Sequence, residues 1–224
     1  MFSERHPDFR QYQSLIGSVI LLEGLVGVGK TTVGYSLEDY LNKIGLKAKF
    51  YCEYVNSELL NQYISNMSKY AYCFQLVMLT KRFEIYSEAL RFTEQGGIAI
   101  VDRSLIGDYT FAMMQYQNGN FTHDEWLVYQ NMFRQQQQLA PTCCLFLNCD
   151  PEISLNRIKN RGFISEIKGY TLKYINDLLQ CYHKNLTELN EVPVIMVDWN
   201  DHKTVINNRL LDSDVKLLLN NIML

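Results

Sequence analysis

The stretch that most constrains this chain is Leu21 to Val33, L-L-E-G-L-V-G-V-G-K-T-T-V. Gly24, Gly29, Lys30 and Thr31 satisfy the phosphate-loop spacing G-x-x-x-x-G-K-S/T. The apolar run Val19-Ile20-Leu21-Leu22 before it suits a buried strand, and the residues after it suit a helix. Glycines let the backbone wrap a phosphate with its N–H groups pointing inward, and the positive end of the following helix faces the same anion. Gly24, Leu25, Val26, Gly27, Val28, Gly29 and Thr32 then form the cradle, Lys30 reaches the outer phosphates, and Thr31 offers its hydroxyl to magnesium. Four fixed positions in a strand-loop-helix context seldom coincide by chance, so the rest of the chain is read as serving a bound nucleoside triphosphate.

With 224 residues, 47% of them hydrophobic, the chain can bury one substantial core, and nothing in it demands two domains. A net charge of -3 lacks the basic field of a nucleic-acid or anionic-membrane binder, which leaves small molecules as the expected partners. The six cysteines form no C-x-x-C pair and mostly lie in apolar runs, so they are expected to be reduced core residues. The N-terminus has no apolar stretch of signal-peptide length, no mitochondrial targeting segment is visible, and no run approaches the roughly 20 apolar residues that cross a bilayer. The expectation is a cytoplasmic protein that engages neither membrane nor nucleic acid.

Residues 1–17 read as a polar lead-in of disordered composition, and the domain as 18–224. Helical spacing of Val33, Leu37, Leu41 and Ile44, stopped by Gly45, predicts a helix from Thr31 to Ile44, followed by a strand from Ala48 to Cys52. Glu53 to Tyr70 has weak periodicity and reads as short helices and loops. From Ala71 to Thr93, Tyr72, Leu76, Leu79, Phe83, Tyr86 and Leu90 make an apolar stripe on a long helix. Gln75 and Arg82 lie off that stripe, seven apart and therefore on nearly one face; on periodicity alone they belong to solvent.

Ile98 to Val101 reads as a central parallel strand, with Asp102, Arg103 and Ser104 at its end. Helices are predicted from Gly107 to Gln117 and from Thr122 to Leu139, the four glutamines from Gln135 to Gln138 forming the polar end of the second. A strand from Cys143 to Cys149 leads into Asp150-Pro151, an N-cap acid before a first-turn proline. The helix it opens carries Arg157 and Arg161, four apart on its polar face. Gly162 to Gly169 interrupts the pattern, a helix resumes from Thr171 to Leu189, Val194 to Val197 makes a fifth strand, and a helix from Asp212 to Ile222 closes the chain. Five short apolar strands separated by helices predict an α/β fold, an open five-stranded parallel sheet with helices on both faces. In such a sheet ligands sit beyond the carboxyl ends of the strands, which brings the phosphate loop, Glu53, Asp102-Arg103-Ser104 and Asp150 to one crevice. Phosphoryl transfer needs positioning, charge neutralisation and a base for the attacking hydroxyl, and Glu53 and Asp102 are suited to base and magnesium roles.

At this point the sequence resembles the deoxynucleoside kinase family over about Ile20 to Asp201. The carriers are E-G-L-V-G-V-G-K-T-T at 23–32, E-Y-V at 53–55, Y-A-Y-C-F-Q at 70–75 with Arg82, D-R-S-L-I-G-D-Y-T-F-A at 102–112 and D-P-E-I-S-L-N-R-I-K-N-R-G at 150–162. The resemblance implies a P-loop kinase fold and ATP-dependent phosphorylation of the 5′-hydroxyl of a deoxyribonucleoside for nucleotide salvage, with magnesium, in a homodimer built through the long helices. It implies Glu53 as general base and Arg103 as the support of the carboxylates and of the developing phosphate charge. Gln75 pairs with the base edge, Arg82 and Asp108 complete the base pocket, Phe111 stacks on the ring, and Glu166 binds the 3′-hydroxyl. A tyrosine for the same hydroxyl falls at Tyr63, or by spacing at Ile64. Arg157 and Arg161 belong to a lid, about residues 157–169, that closes over the ATP phosphates, and Asp102 sits with Thr31 near magnesium. Two departures stand out: Phe163 follows Gly162 where the family has arginine, and the segment after D-R-S is one residue short. The rival readings are a thymidylate kinase, whose anionic acceptor calls for arginine where Glu53 stands, and a non-catalytic nucleotide switch, whose D-x-x-G and N-K-x-D signatures are absent.

Overall fold

The computed structural model describes residues 6–135, 141–188, 192–201 and 205–223. Its centre is a parallel sheet of β1 (Val19–Gly24), β2 (Ala48–Tyr51), β3 (Ile98–Asp102), β4 (Cys143–Asn148) and β5 (Val194–Asp198) in the order β2-β3-β1-β4-β5. Every residue of β1 and β3 is buried, which is why these strands are apolar with no polar alternation, except for the carboxylates Glu23 and Asp102 at their carboxyl ends. Successive side chains of one strand feed opposite cores. Val19, Leu21, Ala99, Val101, Cys144 and Phe146 pack on one face, and Ile20, Leu22, Ile98, Ile100, Leu145 and Leu147 on the other.

The second face is covered by α2 (Lys30–Lys43), through Val33, Leu37 and Leu41, and by α10 (Asp212–Ile222), through Val215, Leu218 and Leu219. A Cβ on Gly34 would lie 2.1 Å from the Phe50 ring, so the glycine sets how closely α2 approaches β2. The first face takes α4 (Met67–Glu94), α5 (Leu105–Gln117) and α9 (Leu172–Glu188), with α6 (His123–Gln135) outside α5. α7 (Pro151–Arg161) starts on the Asp150 cap, whose carboxylate accepts from the Glu152 N–H, and stops at Gly162 with φ +84.

From residue 6 onward the lead-in is packed against the domain, where its composition suggests disorder. Phe9–Tyr12 form a helical turn, α1, continued by a 3₁₀ turn at Gln13–Leu15, and Tyr12 is fully buried with its hydroxyl donating to Asn220 at 2.9 Å. Asp8 accepts from the Tyr40 hydroxyl and pairs with Lys216 at 2.8 Å, so the segment is clamped to α2 and α10 by contacts that no local pattern displays. Three further differences follow. The stretch from Glu53 holds a short helix as expected, α3 (Ser57–Ser65), capped by Asn56; the difference is that α4 begins at Met67, capped by Asn66, and not at Ala71. Gly162 to Gly169 contains α8 (Ile164–Gly169). A hairpin of β6 (Val205–Ile206) and β7 (Arg209–Leu210) turns on Asn207 and Asn208, both at positive φ as a two-residue turn of this hand requires. Residues 136–139 and Leu189, in the predicted helix ends, lie outside the described residues.

Candidate active site

A cleft of about 430 Å³ opens at the carboxyl ends of β1, β2 and β3. One wall is the phosphate loop, where Val26, Gly27, Gly29, Lys30, Thr31 and Thr32 face the opening; Leu25 and Val28 point into the cores and contribute backbone. Gly27 and Gly29 have φ of +76 and +104, and a Cβ on Gly27 would lie 2.7 Å from the Ile158 side chain, so the loop's course requires glycine there. Lys30 is buried and donates to the Leu25 carbonyl at 3.0 Å. Burial and the neighbouring Arg103 charge lower its ammonium to about 8.

Opposite the loop stands Glu53, just beyond β2. Its carboxylate accepts from Arg82 at 2.6 Å through Oε1 and from Arg103 at 3.1 Å through Oε2. Burial resists ionisation there, but Arg103, Arg82 and Lys30 outweigh it and hold the carboxyl below its ordinary value. Arg82 also donates to Asp108 at 2.5 Å, and Asp108 accepts from the Tyr129 hydroxyl at 2.6 Å. Arg103 has φ +63, a conformation that costs a non-glycine residue about 1–3 kcal/mol and persists only where contacts enforce it. The enforcing contacts are Glu53, the Gly24 carbonyl at 3.1 Å and the Tyr182 hydroxyl at 2.9 Å, with Phe111 lying 4.7 Å beneath the guanidinium.

Gln75 and Arg82 correct the solvent assignment that periodicity suggests: they are 2% and 5% exposed. The buried face of α4 is Ala71, Gln75, Met78, Leu79, Arg82, Tyr86 and Ala89, because its middle lines the cleft, where polar side chains find partners. Gln75 donates from Nε2 to the Asp108 carbonyl at 3.1 Å, leaving its oxygen as an acceptor. Asp108 itself is fully buried and does not line the cleft; it sits one layer back, holding Arg82. Phe111, Met78 and Phe74 do line it, as does Tyr63, which stacks on Phe74 with ring centres 4.4 Å apart. Of the two spacing candidates Tyr63 reaches the cleft, its hydroxyl meeting Tyr174 and Gln115 at 2.9 and 2.5 Å, while Ile64 packs where a Cβ on Gly169 would go. Glu166 closes this end and pairs with Arg161 at 2.6 Å. Arg157 reaches the cleft and donates to the carbonyls of Val28, Trp199, Asn200 and Asp201, which ties α7 to the phosphate loop and to the end of β5.

Asp102 Oδ2 accepts from the Thr31 hydroxyl at 2.9 Å, whereas its Oδ1 is buried without a hydrogen-bond partner among the described residues. Burial, reinforced by Glu53 and opposed by Lys30, raises this carboxyl. An orphaned carboxylate oxygen beside a hydroxyl oxygen and a phosphate cradle is the hard-oxygen donor set that suits Mg²⁺. Phe74, Met78, Tyr170 and Tyr174 in the cleft, and Glu23 and Tyr182 behind it, are among the residues that sequence reasoning passed over. Only Glu23 carries a signal, as a lone carboxylate in an otherwise apolar strand that must find partners.

The family model for deoxynucleoside kinase matches residues 20–220. A deoxyguanosine kinase from Dictyostelium discoideum is 31% identical over 217 residues, covering 91% of this chain and 68% of that protein. A deoxyadenosine kinase of the same organism is 29% identical over 198 residues, covering 87% and 78%. Among solved structures, deoxyadenosine kinase from M. mycoides with bound dATP superposes with a TM-score of 0.73 at 21% identity, over 92% of this chain and 99% of that one, a likeness of fold. The chain belongs to the deoxynucleoside kinase family, whose members are phosphotransferases acting on deoxynucleosides.

Proposed function

We propose that the chain transfers the γ-phosphoryl group of ATP to the 5′-hydroxyl of a deoxyribonucleoside, with Glu53 as general base. The observation that carries this reading is the placement of an ionised carboxylate across the cleft from Lys30, with Gln75 and Arg82 behind it. An uncharged alcohol needs a proton acceptor there; an anionic acceptor would be repelled. Glu53 takes the proton as the 5′-oxygen attacks the γ-phosphorus and the bond to the β-γ bridging oxygen breaks, releasing ADP. Arg103 steadies Glu53 and meets the charge that grows on the transferring group.

Gln75 and Arg82 read the base edge, Asp108 fixes Arg82, and Phe111 faces the ring. Tyr63 and Glu166 hold the sugar 3′-hydroxyl. Thr31 and Asp102 would hold Mg²⁺, which when bound neutralises phosphate charge. Residues 157–169 act as the lid, Arg157 and Arg161 turning toward the ATP phosphates. The domain is 18–224 with the lead-in as its strap. We assign the assembly as a homodimer through the long helices, whose outer sides expose Val77 on α4 and Leu127 and Val128 on α6. Light scattering should return twice the 26.2 kDa chain mass, and the mass of one chain would remove the dimer.

The test of the base is Glu53→Gln. Turnover should fall by roughly 100-fold or more with nucleoside affinity largely kept. In the parent, the part of the acid limb of kcat/KM that Glu53→Gln abolishes should lie below the ordinary glutamate range, because burial is outweighed by Arg103 and Arg82, which depress Glu53. Full turnover in the variant, or an acid limb that Glu53→Gln leaves unchanged, would assign the base elsewhere.

A further inference from the structure

Glu23 is fully buried in the last part of β1, directly before the phosphate loop, and lies outside the cleft. Its Oε1 accepts from the Ser104 N–H at 2.8 Å, the Ser104 hydroxyl at 2.7 Å and the Gly107 N–H at 3.0 Å, all at the start of α5. Its Oε2 accepts from the Tyr182 hydroxyl at 2.8 Å. A Cβ on Gly107 would lie 2.5 Å from that same oxygen, so the helix start is shaped around the carboxylate. Tyr182, fully buried on α9, accepts in turn from Arg103 Nη1 at 2.9 Å.

The chain of contacts therefore runs Glu23, Tyr182, Arg103, Glu53, and it begins one residue before Gly24, whose carbonyl receives the same Nη1. Arg103 needs such a fixture, since its φ of +63 is strained and its Nε must meet Glu53 at a set angle. Neither Glu23 nor Tyr182 reaches the cleft. We infer that Tyr182, anchored by Glu23, is a positioning residue that sets Arg103 against Glu53 and ties its placement to the phosphate loop. Burial raises the Tyr182 phenol well above its ordinary range, so it stays protonated and donates to Glu23. The hydroxyl acts entirely through Arg103, and only Arg103 transmits its loss to the reaction.

This inference rests on the catalytic reading of Arg103 and Glu53, and a double-mutant cycle separates the two. Tyr182→Phe removes one oxygen from a packed ring, and kcat should fall about tenfold, the worth of a hydrogen bond to a charged group. The nucleoside KM should move by less than about twofold, since no contact of the cleft is lost. In an Arg103→Lys background the same change should cost about twofold or less, because the group it positions is gone. Rates are compared at a temperature where circular dichroism shows each variant folded. Unchanged kcat in Tyr182→Phe, a rise in KM alone, or the full tenfold loss in both backgrounds would overturn the positioning role. Should Arg103→Lys itself match the parent, the catalytic reading fails instead. Glu23→Gln repeats the test from the anchor and should lose kcat in the same direction; parent-like turnover in that variant would cut Glu23 from the chain of contacts.

Discussion

Arg82 and Arg103 are buried cations that make sense only together with the acids between them. Arg82 spans Glu53 and Asp108, Arg103 spans Glu53 and the Gly24 carbonyl, and Glu53 closes the set at the cleft wall with about a fifth of its side chain exposed. Desolvating an unpaired guanidinium costs several kcal/mol, so the carboxylates are a condition of having arginine there at all. The arrangement leaves one negative, accessible group facing the phosphate loop. At this scale Gln75 gives the clearest separable effect. Gln75→Ala removes the acceptor that faces the pocket, and nucleoside binding should weaken by about tenfold while saturated turnover changes little, because a base edge would then be buried unpaired. Titration of nucleoside with the two proteins checks it; equal affinities would mean the base edge lies elsewhere.

At the scale of elements, the site is where α4, the phosphate loop and the start of α5 meet the strand ends. α4 was the element whose buried face was hardest to anticipate. Of its apolar stripe, Leu79 and Tyr86 are buried and Tyr72, Leu76, Phe83 and Leu90 are half-buried, whereas Gln75 and Arg82 occupy positions that a hydrophobic pattern assigns to water. Periodicity reports what a helix packs against, and the middle of α4 packs against a polar cleft. The spacing of α9 misleads in the opposite way, since Leu178, Tyr182 and Leu186 are all buried at helical spacing and nothing marks the hydroxyl of the middle one. Motif residues were legible because their chemistry is local: the loop glycines, the Asp150-Pro151 cap and the acids at strand ends. The geometry of α2 yields a stability prediction. Gly34→Ala drives a Cβ into the Phe50 ring and should destabilise the fold by about 1–3 kcal/mol. Chemical denaturation checks it, and a midpoint equal to the parent's would show that the α2–β2 contact can yield.

Over the whole molecule, the sheet was readable because all five strands are short apolar runs set between helices, and both faces of the inner three are covered. The N-terminal strap was not readable, since Tyr12, Asp8 and Gln11 acquire their partners from Lys216 and Asn220, some 200 residues away in the chain. Those contacts join both ends of the chain to the helix that begins at Lys30, while the opposite face carries α4, α5 and α9. On the proposed reading, the cleft lies between a loop that holds polyphosphate and a wall that takes an uncharged ring and alcohol. The most direct measurement of that division is phosphoryl transfer from ATP to deoxynucleosides and to their 5′-monophosphates, run side by side at saturating acceptor. Deoxynucleosides are expected to turn over at least 100-fold faster, the scale of a positioned base acting on a hydroxyl. Turnover with the monophosphates alone would contradict a Glu53 that readies an uncharged alcohol.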